Sequence, residues 1–179
     1  VIIKMDTKKM MMIALSVAIL FTQEQIMVFL PNISFTVVLI VVFVSVYSFK
    51  ESIILITAYV ILDSIYMGGM SPFLIIPMLI GWYLIPISYH TILGRTKSEV
   101  KLAIFAFGFG FVYGWVFIPF RMIQLGITEF WPYLLADVLF EVIMGSFGFL
   151  AVLWLFKPLY NTMDEIMRSK KLIASKNFK

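Results

Sequence analysis

The chain has 179 residues, 62% of them hydrophobic and only 13% charged, with a formal net charge of +4 and a mean hydropathy of +1.02. A soluble domain carries about twice that share of charge, so the composition leaves too little polar surface for a water-soluble fold and predicts an integral membrane protein. With no cysteine and a single histidine, His90, disulfides, thiol chemistry and multi-histidine metal sites are excluded.

Apolar runs follow one another along the chain, and a membrane-spanning helix needs roughly 17–25 such residues. The first run, about 10–29, is stopped by Pro31. It follows the basic start KMDTKK and has no small-residue cleavage site, which predicts a retained span rather than a removable leader. The second, 33–49, ends at Lys50-Glu51, and the third, 53–67, ends in MGGMSP. Both are short and need a thinned bilayer or polar flanks. The fourth, 73–92, precedes GRTKSEVK; the fifth is 102–120; the sixth, 133–156, stops at Lys157-Pro158. Because the runs are continuous rather than alternating, a transmembrane sheet is excluded. The predicted fold is all-α: a single-domain bundle of six transmembrane helices with a basic tail, 157–179. In that tail Met163, Ile166 and Met167 fall on one helical face, which suits it to lie on anionic lipid.

Basic residues set the orientation, since cytoplasmic loops are rich in Lys and Arg. Six spans place Lys4, Lys8, Lys9, Lys50, Arg95, Lys97, Lys101, Lys157 and the basic tail on one side. Of the 14 basic residues only Arg121 falls on the other. Both termini are therefore expected in the cytoplasm, and the protein in the cell membrane.

Orientation assigns depth to the acids. Asp6, Glu51, Glu99, Asp164 and Glu165 fall on the cytoplasmic side. Glu24, Asp63, Asp137 and Glu141 fall in the outer parts of spans one, three and six, and Glu129 in an outer loop. Asp137 and Glu141 are four residues apart, on one helical face. A charge at the bilayer centre costs at least about 2.5–3.5 kcal/mol, so such groups face a bundle interior or a wet cavity. Acids from three helices at one depth predict an outward-opening polar pocket. Aromatic residues, including Tyr59, Tyr66, Tyr113, Trp115, Trp131 and Tyr133, occupy the same zone, where an interfacial belt also places them. The loop Met67–Pro72 combines two glycines with two adaptable methionines, Met67 and Met70. The predicted solute-binding set is Glu24, Asp63, Tyr66, Met70, Trp115, Arg121, Asp137 and Glu141. The competing reading pairs Asp63 or Glu141 with Arg121 as an internal ion pair. Arg121 also suits a ligand carboxylate or phosphate, or a lipid headgroup.

Several chemistries lack their motifs. There is no P-loop, HExxH, GxSxG or EF-hand signature, no TVGYG-like filter and no pair of inverted repeats. No cofactor, metal or nucleic-acid partner is implied. An intramembrane acid–base enzyme, or a dyad of Asp63 with Asp137, has only its carboxylates in support. Small residues spaced by four let helices approach closely. Ala14 and Ala18 form such a pair in span one; Gly110 and Gly114 form another in span five, read as internal packing.

Length, six spans, cytoplasmic termini, a basic start and Ala14-xxx-Ala18 together resemble the substrate-binding S-component of energy-coupling factor (ECF) vitamin importers. The resemblance spans roughly Met5–Asn161 and rests on architecture plus that one motif. It implies that the alanine face docks on a transmembrane coupling protein, and that two cytoplasmic ATPases drive the S-component to topple and carry a vitamin inward. It also implies that segments Phe29–Thr36 and Met67–Phe73 close the pocket. The vitamin it leans toward is cobalamin; pantothenate, pyridoxine and a thiamin pyrimidine are the alternatives, as is a non-transporting structural subunit. Acids with aromatics suit an amine-bearing ring.

Overall fold

The computed structural model describes residues 7–67 and 69–176, with side chains described up to Arg168. Lys4, Asp6, Gly68 and Lys179 lie outside the described residues. Six helices follow in order: α1 (Thr7–Ile26), α2 (Thr36–Val46), α3 (Phe49–Tyr66), α4 (Pro72–Thr91), α5 (Glu99–Leu125) and α6 (Phe130–Lys176). Three of them, α4, α5 and the Phe130–Arg168 part of α6, are long and apolar enough to cross a membrane. The other three fall short for local reasons. The end of α1 is diluted by Gln23, Glu24 and Gln25, α3 carries Lys50, Glu51 and Asp63, and α2 has only 11 residues.

Helix α2 occupies the centre. Its sequence, TVVLIVVFVSV, is aliphatic on every side, the pattern of a helix buried all round. It touches all five other helices, and Val38, Ile40, Val41 and Val42 are almost fully buried. At 1.5 Å per residue it reaches only about 16 Å, well short of the roughly 30 Å hydrocarbon layer. The run 33–49 predicted from hydropathy is thus longer than the helix it contains. Asn32 takes a left-handed backbone (φ 59°), a conformation that asparagine tolerates, and the chain stays non-helical until Thr36. At the other end Tyr47 is extended (ψ 157°) and breaks the helix.

A capping box then starts α3. The Ser48 hydroxyl accepts from the Glu51 N–H at 3.4 Å, and the Ser48 N–H donates to Glu51 Oε2 at 2.9 Å. Lys9 of α1 pairs with Glu51 Oε1 at 2.7 Å, tying α1 to the start of α3. Burial pushes the Glu51 carboxyl up, but Lys9 and the Ser48 donors outweigh it and hold it below the ordinary glutamate range. A depressed carboxyl contributes stability that is present above its unfolded pKa and lost as pH falls through the folded one. Ser48→Ala is expected to cost about 1 kcal/mol and to flatten the acid limb of the stability–pH profile, as read by thermal melts in detergent between pH 3 and 7.

The remaining boundaries have similar causes. Pro72 opens α4, where its missing N–H is no loss. Gly126 closes α5 in a left-handed conformation (φ 67°), its N–H bonded to the Met122 carbonyl. Helix α6 runs past the Lys157-Pro158 stop predicted from sequence and continues to Lys176. Packing explains the continuation: Leu159, Tyr160, Met163 and Met167 lie against the core, and Lys97 sits 4.5 Å over the Tyr160 ring.

The most extensive helix pair is α5 with α6. It closes on glycine: a Cβ built on Gly110 would lie 2.5 Å from the Gly145 backbone nitrogen. One built on Gly145 would lie 2.6 Å from the Phe107 carbonyl oxygen. The two backbones therefore touch, as small-residue motifs permit.

Candidate functional site

Two adjoining cavities open at one end of the bundle. The first, of about 470 Å³, is lined by Glu24 and Gln25 of α1, Asp63 and Tyr66 of α3, Trp82 of α4 and the α1–α2 loop. The second, of about 410 Å³, lies between α5 and α6 and is lined by Arg121, Tyr133, Asp137 and Glu141. Asn32, Tyr113 and Met144 belong to both walls. These volumes fall in the range of small-molecule pockets, about 300–1,000 Å³.

The first cavity is built around hydrogen-bonded acids. Tyr59, fully buried on α3, donates its hydroxyl to Glu24 Oε2. Gln25 Nε2 donates to Asp63 Oδ1 at 3.3 Å. Asp63 is 2% exposed, and its Oδ2 has no hydrogen-bond partner among the described residues. Trp82 packs against Tyr113 with ring centroids 4.6 Å apart and planes tilted by 45°, and meets the edge of Tyr59 at 6.3 Å. Gly81 makes room for that contact, since a Cβ there would lie 2.6 Å from the Tyr113 ring. The buried indole Nε1 of Trp82 approaches Tyr113 without completing a hydrogen bond among the described residues.

The α1–α2 loop is held over the site by Gln23. Its Nε2 donates to the Leu20 carbonyl at 3.1 Å and to Thr36 Oγ1 at 2.6 Å, while its Oε1 accepts from the Phe35 N–H at 3.0 Å. One side chain thus joins the end of α1 to the start of α2 and fixes the loop that presents Asn32.

Glu141 dominates the second cavity. It is 3% exposed, and neither carboxylate oxygen has a hydrogen-bond partner among the described residues. The Trp115 indole approaches it without completing a hydrogen bond. The carboxylate lies against the bare Cα of Gly114, where a Cβ would sit 2.6 Å from Oε1. Gly114 is therefore the space that Glu141 fills. Among the described residues Arg121 bonds only Gln124 Oε1, at 3.4 Å. The ion pairs among the described residues are Lys9–Glu51, Lys157–Glu99 and Arg168–Asp164, so Arg121 is paired with neither Asp63 nor Glu141. Buried polar atoms are normally satisfied. Among the described residues, Asp63 Oδ2, Trp82 Nε1 and both Glu141 oxygens have no hydrogen-bond partner.

Of the residues singled out from sequence, Glu24, Asp63 and Tyr66 line the first cavity, and Arg121, Asp137 and Glu141 the second. Met70 and Trp115 line neither and are 59% and 52% exposed. Met67 is the only described residue of the loop Met67–Pro72 in a cavity wall. Gln25, Asn32, Trp82 and Met144 carry no sequence signal that separates them from core or loop, yet they complete the walls. Ala14 and Ala18 lie elsewhere, on an exposed strip of α1 beside Met11 and Leu15. No three His, Cys, Asp or Glu side chains gather as a metal site among the described residues.

No protein-family model, curated protein or solved structure matches this chain.

Proposed function

We propose that the chain is the solute-binding subunit of an ATP-driven importer of the ECF type, with six spans and both termini in the cytoplasm. The observation that carries this reading is the pair of adjoining cavities, in which buried Asp63 and Glu141 present unpartnered oxygens beside Trp82 and Tyr113. A carboxylate desolvated without a partner is costly, and a bound solute offsets that cost by hydrogen bonding. With no P-loop in the sequence, the energy source of such an importer would lie in other subunits. The exposed Ala14–Ala18 strip supplies a surface where a coupling protein can approach closely.

The solute is proposed to be a vitamin. Cobalamin, toward which the resemblance leans, requires both cavities to act as one, with the Asn32, Tyr113 and Met144 walls parted. A compact ring with a basic nitrogen, as in pyridoxine or a thiamin pyrimidine, fits the Glu24–Asp63–Trp82 cavity alone. A carboxylate-bearing solute such as pantothenate would engage Arg121. The competing reading, a structural subunit, predicts no bound solute at all.

Native mass spectrometry of the chain purified from its own membranes tests this directly. The expected result is a discrete small-molecule adduct, with a transmembrane partner and two ATPases copurifying under gentle extraction. A bare chain without these partners would overturn the importer reading.

A further inference from the structure

A third cavity, of about 380 Å³, lies at the other end of the bundle. It is framed by the α2–α3 junction, the end of α4 and the α4–α5 loop, and its wall includes Ser48, Phe49, His90, Arg95 and Lys97. Phe49 and Asp63 sit 14 residues apart on α3, about 21 Å along its axis. This cavity is therefore separate from the solute site and independent of the function proposed for it.

Its chemistry is cationic. No carboxylate lines it, and neither Arg95 nor Lys97 forms an ion pair among the described residues. Arg95 takes a left-handed backbone (φ 58°), unusual outside glycine, asparagine and aspartate. Its N–H bonds the Tyr89 carbonyl at 3.0 Å, which folds the loop back onto the end of α4. Its Nε donates to His90 Nδ1 at 3.1 Å. That bond leaves the two terminal Nη groups of the guanidinium without a described hydrogen bond. It also makes Nδ1 the acceptor, so the ring proton sits on Nε2, a buried donor with no partner. Beside these donors the wall is mixed: Ser45, Ser48, Tyr47 and Tyr89 bring hydroxyl-bearing side chains, and Val44, Val46 and Phe49 are apolar, with Phe49 41% exposed.

We infer that this cavity binds a phosphate group, held by the Arg95 fork and the Lys97 ammonium. Arginine matches phosphate oxygens in bidentate fashion, and lysine adds a point charge. Hydroxyl-bearing side chains and cations at the cavity, with the exposed Phe49 ring at its edge, suit the phosphodiester of an anionic lipid, whose chains continue along the helix bundle. A free phosphate offers the same oxygens without the chains.

The test uses the full chain in nanodiscs of phosphatidylcholine with or without phosphatidylglycerol, followed by native mass spectrometry of retained lipid. Both lipids carry the phosphodiester, but the choline cation of phosphatidylcholine is repelled by Arg95 and Lys97, so phosphatidylglycerol is expected to be retained about tenfold over it. Arg95→Asn with Lys97→Gln should abolish that preference; asparagine tolerates the left-handed backbone. Lys97→Gln alone keeps the Arg95–His90 bond and should reduce the preference part-way. Lys50→Gln with Lys157→Gln removes equal charge from other exposed sites and should leave it intact. A parallel arm titrates inorganic phosphate in neutral detergent. A thermal shift lost in the Arg95/Lys97 variant, with no lipid preference, assigns the site to a soluble phosphate. Equal loss of preference in both double variants, or no response to either probe, overturns the inference.

Discussion

Asp63→Asn combined with Glu141→Gln will strip the proposed solute from the purified chain and at the same time raise its thermal stability. The amide introduced on α3 keeps the oxygen that accepts from Gln25, so the α1–α3 contact survives. What disappears is negative charge on two side chains that are 2% and 3% exposed and whose remaining oxygens have no described partner. Hydrogen bonds to charged groups are worth about 1.5–3 kcal/mol, so each substitution should weaken binding about 10- to 150-fold. The amides still leave polar atoms unpaired there, so only the cost of burying charge is relieved, and the melting temperature should rise on that account alone. Opposite movement of solute retention and melting temperature is characteristic of a binding site maintained at the expense of the fold. If the melting temperature falls instead and the mass of any bound species is unchanged, the carboxylates are structural and the binding reading fails.

The second large effect concerns α5 and α6. Gly110→Leu should abolish the folded state, and even Gly110→Ala should cost about 1–3 kcal/mol or more. The added Cβ meets the backbone of Gly145 at 2.5 Å and the Glu141 carbonyl oxygen at 3.1 Å, and backbone has no rotamer by which to give way. Gly114→Ala forms the control four residues along. There the neighbours are all side-chain atoms of Glu141, from Oε1 at 2.6 Å to Cγ at 2.9 Å, which a change of rotamer can move aside. The expected outcome is a stable protein whose solute binding is impaired. Size-exclusion profiles and melts of the three variants separate these results. A normally folded Gly110→Leu protein would show that the two helices do not meet as described.

Much of this helical architecture is legible in the sequence because continuous apolar runs fold as helices here, and each of the six runs overlaps one helix among the described residues. Boundaries are less legible. Lys50-Glu51 reads as the end of a span, yet Ser48-Phe49-Lys50-Glu51 is a capping box that begins the next helix. Charge marked the right neighbourhood, while side-chain hydrogen bonding decided the residue at which the helix turns. The site shows the same division. Depth follows from position along a span, so acids of three helices could be placed at one level. Azimuth does not follow from position: Tyr113 and Trp115 share a depth, but two residues rotate a helix by about 200°. Tyr113 enters both cavities and Trp115 lines neither. Trp82 was hidden for a related reason, since one more aromatic residue in an apolar run reads as core.

The central position of α2 constrains how the protein is made. Its partners include α6, which begins 84 residues after α2 ends, so α2 is synthesised long before its wall is complete. At ribosomal speeds of about 5–20 residues per second, the wait is roughly 4–17 s. During that interval an 11-residue apolar rod has only the earlier helices to pack against, and its burial is complete only when the last helix arrives to shut the bundle around it.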